Sequence, residues 1–273
     1  QYKTYVKISN MELNLSDKIA LVTAASQGLG KAAAIELAKE GCNLIICSSN
    51  KRKIEESARD IEKISNNKVT AVTTDLRDSK QIDLLFNQIN SEYGGVDVVV
   101  NNAGGPPIST FDSVSDEDWQ KAFELTMMSA LRVSRLALPH MKEQQWGRII
   151  NISSYSVKTP VTGLFISNSI RLGVLGWAKA LSDEVAKNGI TVNTVCPGST
   201  RTERIEQLIS NNAEKFGKSS KEAEEAISTS IPMGRIGEPE ELAALITFLA
   251  SEKSSYMTGL AIQVDGGATR EYY

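Results

Sequence analysis

Residues 19–30 read Ile19-Ala20-Leu21-Val22-Thr23-Ala24-Ala25-Ser26-Gln27-Gly28-Leu29-Gly30, an apolar run that leads into a glycine-containing turn. A short, continuous apolar run that ends in such a turn is typical of a strand buried on both faces. A helical pattern follows from Gly30 to Lys39. Glycines at this turn let the backbone bend tightly and approach a pyrophosphate at the helix N-terminus. A glycine-rich turn alone is a weak signal, so its weight depends on the rest of the chain.

The same alternation of strand and helix continues along the chain. Mostly continuous apolar runs predict further strands at residues 43–47, 69–73, 96–100, 148–152, 190–195 and 260–264. Helical patterns fill residues 51–65, 79–92, 116–143, 167–187 and 239–250. We therefore expect a single α/β domain of the Rossmann type, with a doubly wound parallel sheet and right-handed crossovers. Ligands of such sheets bind at the carboxyl ends of the strands, where strand order reverses.

The sequence divides into three parts. Residues 16–273 are predicted to form the α/β domain, and residues 1–15 a leader or an edge segment, because Gln1 to Asn10 precede a plausible start at Met11. Residues 202–231 are rich in Glu, Lys, Ser and Asn and predict one or two short mobile helices. This insertion is either a solvated excursion or a lid over a substrate.

Composition excludes several classes of function. The net charge of -3 offers no broad attraction for nucleic acid or an anionic membrane. No stretch approaches the roughly 18 apolar residues of a membrane span. Three cysteines, Cys42, Cys47 and Cys196, and the single His140 form neither a disulfide framework nor a metal-ligand pattern. We expect a soluble, cytoplasmic protein without a metal site.

Three further motifs stand at predicted strand ends. Asp75-Leu76 ends the third strand, Asn101-Asn102-Ala103-Gly104 ends the fourth, and Pro197-Gly198, followed by Thr200 and Thr202, ends the sixth. Each also has an ordinary explanation, as a helix cap, a turn or a strand terminator. Their coincidence at successive strand ends is improbable, so together they predict a dinucleotide site.

With Ile149 to Ser154 and Gly189 to Gly198, these motifs resemble the short-chain dehydrogenase/reductase family, and within it the 3-oxoacyl-carrier-protein reductases, over about Ser16 to Ala268. The resemblance implies a small carbonyl or alcohol substrate. It also implies a homotetramer or homodimer in which the helices at residues 116–143 and 167–187 pack across subunits. Cofactor contacts are implied at Thr23, Ala24, Ser26, Gln27, Gly28, Leu29, Gly30, Asp75, Leu76, Asn102, Ala103, Gly104, Pro197, Gly198, Thr200 and Thr202. The family has glycine at the position of Ala24, where alanine fits if its φ angle is negative.

The end of the second predicted strand bears on the choice of cofactor. An acidic residue there would bond the adenosine ribose hydroxyls and favour NAD. This chain instead has Ser48, Ser49 and Asn50, which can donate hydrogen bonds to a 2′-phosphate. Lys51 or Arg52 can supply positive charge, unless both belong to an exposed first helical turn. The sequence therefore predicts NADP, with NAD still possible.

The positions that carry proton transfer in the family are altered in this chain. Family members have a tyrosine and, one helical turn later, a lysine that lowers the phenol pKa from about 10. Here the corresponding residues are Ser167 and Arg171. Ser167 is a much poorer acid, whereas Arg171 can still donate hydrogen bonds to the nicotinamide ribose. The family serine matches Ser154, and the family asparagine matches Thr126, seven residues after Trp119.

Two hypotheses about function remain open at this stage. The chain is either an NADP-preferring oxidoreductase with an altered proton relay, or a nucleotide-binding pseudoenzyme with a regulatory or scaffolding role. Tyr155 and Lys158 offer a relocated phenol and ammonium pair, but strand alternation predicts that Tyr155 faces away from Ser154. His140 is expected to be a surface or capping residue remote from the site.

Overall fold

The computed structural model describes residues 11–65 and 67–271, and residues 1–10 of the predicted leader lie outside them. The strands are β1 Ile19–Thr23, β2 Asn43–Ser48, β3 Val69–Thr73, β4 Val98–Asn101, β5 Gly147–Ile152, β6 Ile190–Pro197 and β7 Ala261–Val264. The helices are α1 Gly28–Lys39, α2 Lys51–Ser65, α3 Ser79–Tyr93, α4 Asp116–Ala122, α5 Ser129–Gln144, α6 Phe165–Val185, α7 Glu203–Phe216, α8 Ser220–Thr229 and α9 Pro239–Ala250.

The seven strands form one parallel sheet in the order β3-β2-β1-β4-β5-β6-β7. Strand order reverses between β1 and β4, which pair from Ala20 opposite Val98 to Val22 opposite Val100. A crevice at this reversal point is where such sheets bind ligands. The predicted doubly wound α/β fold is confirmed.

Alternate residues of each central strand enter two separate cores, one on each face of the sheet. Ala20 and Val22 of β1 pack with α1 and α9, whereas Leu21 packs with α3 and α5. Because both faces are covered, most positions of the central strands are apolar, which explains their nearly continuous apolar runs. Cys42 and Cys196 are buried free cysteines, as the sequence predicts.

The helix predicted at residues 116–143 is interrupted. A π-helical segment, Phe123–Met128, separates α4 from α5. Ser115 caps α4 by accepting a hydrogen bond from the Asp118 amide, and the Ser129 hydroxyl donates to the Leu125 carbonyl within the wide turn. Such π turns are frequent at functional sites. This one contains Thr126, which is 7% exposed.

The insertion at residues 202–231 forms α7 and α8, which share a small apolar core that includes Ile209 and Ala223. Arg201 ties this unit to the domain. Its guanidinium lies 2.8 Å from Glu206 on α7, 2.5 Å from Glu224 on α8 and 3.3 Å from Glu238 before α9. The insertion is therefore a defined helical pair anchored at the carboxyl end of β6. None of the described helices has the length and apolarity needed to cross a membrane.

Candidate cofactor cleft and active site

A cleft of about 530 Å³ opens at the carboxyl ends of β1 to β5, beside the point where strand order reverses. The insertion forms its outer wall through Thr202, Glu203 and Arg204. Most of the cofactor positions expected from the sequence line it. These are Ala24, Ser26, Gln27, Gly28, Leu29, Ser48, Ser49, Asn50, Asp75, Leu76, Asn102, Ala103, Gly104, Arg171 and Thr202.

Other cofactor positions expected from the sequence lie outside the described lining of this cleft. Thr23 lines a small cavity that adjoins the cleft, and Thr200 lines a pocket on the β7 side. Gly198, which follows Pro197, packs so closely on Asp265 that a β-carbon would stand 2.7 Å from the Asp265 Cα. Their part in cofactor binding stays a prediction.

The glycine turn depends on close backbone approach. Gly28 has a φ of +57°, and a β-carbon on Gly30 would stand 2.6 Å from the Ala24 carbonyl oxygen and 2.7 Å from Asn102 Nδ2. Thr23 Oγ1 donates to the Asn102 carbonyl at 2.7 Å and accepts from the Asn102 amide at 2.8 Å. Asn102 Nδ2 donates to the Ala24 carbonyl at 3.2 Å. The end of β4 thus holds the turn after β1 in place.

Ala24 does not meet the condition under which alanine would be unstrained. Its φ is +46°, in the left-handed region that favours glycine. The contacts of Asn102 hold this conformation against the clash of the alanine β-carbon, which costs about 1–2 kcal/mol. The methyl group also faces the cleft.

Ala24→Gly is therefore expected to raise the free energy of unfolding by up to about 1 kcal/mol, since relief of strain exceeds the added chain entropy. Urea denaturation measures the change. Ala25→Gly is the matched control, because Ala25 is fully buried with no positive φ and should lose stability. A loss of stability in Ala24→Gly as large as that in Ala25→Gly would show that the turn is not strained.

The adenosine end of the cleft contains a cation that sequence reasoning missed. Lys53 Nζ donates to Gln27 Oε1 at 2.8 Å, and the Lys53 side chain lines the cleft. Lys51 and Arg52 are instead 78% and 83% exposed and lie nearest to carboxylates of α2 itself. Because Asn50 Oδ1 accepts from the Lys53 amide, Asn50 caps α2 and directs its third residue toward the cleft. In the sequence, the signal for Lys53 was therefore the asparagine three residues before it, a typical helix-capping residue.

Asp75 is present in the cleft but has a partner of its own. Its carboxylate lies 2.6 Å from Arg77 Nη2, and this hydrogen bond lowers the pKa of Asp75. Asp75 therefore stays ionised at neutral pH and retains free lone pairs for a neighbouring donor. The family resemblance implies that Asp75 contacts the adenine of the cofactor, and this contact stays a prediction.

Arg171 is buried at the opposite end of the cleft. Its Nη1 donates to the carbonyls of Ile152 at 3.2 Å and Ser153 at 2.8 Å, and its Nε donates to Ser167 Oγ at 3.1 Å. Burial, and secondarily the charge of Arg204, lower the pKa of Arg171 to about 10, so the guanidinium is protonated at neutral pH. Arg171 thus fixes the end of β5 and orients Ser167, with Ser167 free to donate its own proton.

A small cavity of about 20 Å³, lined in part by Arg171 and other polar side chains, adjoins the cleft. Four of its lining side chains have a buried polar atom with no hydrogen-bond partner among the described residues: Asn101 Oδ1, Thr126 Oγ1, Asn151 Nδ2 and Ser153 Oγ. This volume suits one water molecule, and a buried water needs two to four such partners. The cavity thus brings Thr126 and Arg171 together around a site suited to water.

Ser154 and Tyr155 follow the end of β5. Ser154 Oγ accepts from the Ser156 amide at 3.1 Å and caps a short 3₁₀ turn. Tyr155 lines a different space of about 460 Å³, against Leu208 and Phe216 of α7. Burial, and then the charge of Asp265, raise the pKa of Tyr155. Ser154, Tyr155 and Ser167 are all absent from the described lining of the cleft, so the roles of Ser154 and Ser167 and the packing role of Tyr155 stay predictions.

His140 is remote from the cleft, as expected, but it is neither a surface residue nor a helix cap. Its Nε2 lies 3.2 Å from Asp97 Oδ1, and its side chain is only 20% exposed. Asp97 Oδ2 also accepts from the amide of Ile19, the first residue of β1. The histidine therefore belongs to the amino-terminal edge of the sheet, where Asp97 is its hydrogen-bond partner.

Comparisons with known proteins agree with this geometry. The family profile described as Enoyl-(Acyl carrier protein) reductase matches residues 23–269. The NADPH-dependent reductase BacG of Bacillus subtilis is 37% identical over 257 residues, covering 94% of this chain and 99% of that protein. The 3-oxoacyl-[acyl-carrier-protein] reductase FabG of Aquifex aeolicus is 33% identical over 257 residues, with the same coverages.

Solved structures give the same result. The structure of YwfH, an NADPH dependent reductase involved in bacilysin biosynthesis, has a TM-score of 0.89 and 36% identity, covering 94% of this chain and all of that one. L-sorbose reductase from Gluconobacter frateurii, complexed with NADPH and L-sorbose, has a TM-score of 0.92 and 31% identity, covering 96% and 100%. The chain belongs to the short-chain dehydrogenase/reductase family of NAD(P)-dependent oxidoreductases.

Proposed function

We propose that this chain reduces a carbonyl group of a small molecule with NADPH, through a proton relay altered at Thr126, Ser167 and Arg171. The observation that carries the proposal is the cleft itself. One end has a lysine and no carboxylate at the close of β2, and the other has a buried guanidinium beside Ser153. The relatives are reductases, which favours an enzyme over a nucleotide-binding pseudoenzyme.

The residues of the cleft suit an NADP cofactor. The N-terminus of α1, at Gly28 and Leu29, presents backbone amides to a pyrophosphate. Ser48, Ser49 and Lys53 present hydroxyls and a positive charge to a 2′-phosphate. When bound, NADPH supplies the hydride. Ser154 is proposed to orient the substrate oxygen, and Arg171 to donate to the nicotinamide ribose.

The altered residues then handle the proton. Addition of a hydride to a carbonyl carbon leaves an alkoxide that takes up one proton, so the product is an alcohol. We infer that this proton is passed by the Ser167 hydroxyl, which Arg171 orients and polarises at 3.1 Å. Thr126 and Ser153 line the small cavity beside Arg171, which can hold the water that replaces it. An aliphatic hydroxyl is a weak acid, so we expect slow turnover.

Two further features of the chain are proposals of the same kind. Exposed apolar side chains on the predicted subunit interfaces, Phe123 at 39% and Leu172 at 49%, support a homotetramer or homodimer. Three buried free cysteines support a cytoplasmic setting.

Nucleotide titration followed by a carbonyl panel tests the proposed function. We expect saturable NADPH binding by tryptophan fluorescence and slow NADPH oxidation with activated diketones or quinones. If NADPH binds but no carbonyl compound oxidises it, the result would instead support the pseudoenzyme hypothesis.

A further inference from the structure

Arg204, the second residue of α7, reaches across the cleft from the insertion to the loop that follows β4. Its Nη2 donates to the Pro106 carbonyl at 2.9 Å. The guanidinium also packs on the backbone of Gly105, where a β-carbon would displace it. The guanidinium is thereby held at the same end of the cleft as Arg171.

The charge of Arg204 has no carboxylate within 4.0 Å among the described residues. Two carboxylates line the cleft, those of Asp75 and Glu203. Asp75 is paired with Arg77. Glu203 lies near Gly28, and its Oε2 would be 3.7 Å from a β-carbon on Gly28. Arg204 is instead close enough to the buried Arg171 to disfavour its charge. Arg204 is a solvent-exposed residue, and an anion bound beside it and Arg171 is attracted by two positive charges.

We infer that Arg204 binds a carboxylate on the substrate, so that the substrates are oxo acids, carbonyl compounds that carry a carboxylate. This inference rests on the proposed carbonyl reduction. A guanidinium has five N–H donors, and Arg204 uses one of them on Pro106. The remaining donors can hold a carboxylate by two parallel hydrogen bonds. The loop Gly105-Pro106-Pro107-Ile108 adds no charged side chain to compete for them.

The pyrophosphate of the cofactor is a second anion that the Arg204 guanidinium could bind. The substrate is favoured because the pyrophosphate already has a receptor in the N-terminus of α1 at Gly28. Arg204 also bonds the segment just after Gly104, beside Arg171, rather than the glycine turn. A cofactor contact and a substrate contact are separable by binding measurements.

Calorimetry with protein loaded with NADP⁺ tests the inference without requiring turnover. The probes are 2-oxo-4-phenylbutanoate and acetoacetate, each compared with its ethyl ester. We expect each acid to bind about tenfold or more tightly than its ester, as a charge-assisted hydrogen bond gives. Arg204→Gln should abolish that preference, and Arg204→Lys should restore part of it. The affinity for NADPH alone should change less than about twofold in either variant.

Lys215→Gln is the matched control, because it removes one positive charge from the other end of α7. It should leave the preference for the acids intact. Equal binding of acid and ester, or no binding of either acid at millimolar concentration, would overturn the inference. So would Arg204→Gln weakening NADPH while preserving the preference, because the anion would then be the pyrophosphate. If the acids bind through Arg204 but no carbonyl is reduced, the proposed function fails and the carboxylate site stands.

Discussion

The triple variant Thr126→Asn, Ser167→Tyr, Arg171→Lys is expected to oxidise NADPH with activated diketones or quinones about 10²- to 10⁴-fold faster than the parent. The cleft and the insertion are present, and Ser154 caps the turn after β5, so we propose that the missing element is an acid of suitable pKa. A tyrosine with a lysine one turn later restores that acid. The initial rate of NADPH oxidation at 340 nm measures the gain.

The matched control replaces the tyrosine by phenylalanine, giving Thr126→Asn, Ser167→Phe, Arg171→Lys. It has nearly the same bulk and lacks both the phenol and the Ser167 hydroxyl, so it should be no faster than the parent. Ser167 is 5% exposed, and an aromatic ring there costs about 1–3 kcal/mol of stability. Both variants share that cost, so their ratio reports the phenol alone.

Two results would contradict this explanation. If the tyrosine variant folds and binds NADPH but is no faster than the phenylalanine variant, the defect lies in substrate binding and the pseudoenzyme gains support. If the parent is already fast and Tyr155→Phe abolishes its rate, the proton donor is Tyr155. Tyr155 lines a space beside α7 that is separate from the cleft, so we expect Tyr155→Phe to leave the rate unchanged.

Most of the fold could be predicted from the sequence, because burial on both faces gives parallel strands continuous apolar runs. Residues 20–22 of β1 and 44–47 of β2 are fully buried, and the motifs that follow the strands converge on one cleft because parallel strands end at the same edge of the sheet. The π turn at Thr126 was not predicted, because the helical pattern of residues 116–143 does not mark where the turn widens.

Local backbone conformation and the hydrogen-bond partners of side chains also could not be predicted from the sequence. The positive φ of Ala24 depends on hydrogen bonds from Asn102, which is 78 residues away in the chain. The partners of Arg171 are backbone carbonyls, and carbonyls have no signature in a sequence. Arg204 lies in a segment of mixed polar composition, so nothing local distinguishes it from a solvated arginine.

Lys53→Gln is expected to weaken NADPH binding about 10- to 100-fold and to leave NADH binding unchanged, since a charge-assisted contact to a phosphate gives about 1.5–3 kcal/mol. Lys53 is the lysine whose side chain lines the cleft beside Ser48, Ser49 and Gln27. NADH lacks the 2′-phosphate and so has nothing to lose there. Calorimetric titration of both nucleotides measures the two affinities.

Ser49→Asp should reverse the preference, so that NADH binds more tightly than NADPH. An aspartate at the exposed Ser49 accepts hydrogen bonds from the ribose hydroxyls of NADH and repels the 2′-phosphate of NADPH.

Arg52→Gln is the matched control for Lys53→Gln, because it removes the same charge from the same helical turn at a side chain that is 83% exposed. If Arg52→Gln weakens NADPH as much as Lys53→Gln does, the phosphate is held by the general charge of α2. Lys53 would then have no specific role. Equal affinities of the parent protein for NADPH and NADH would refute the predicted preference for NADPH.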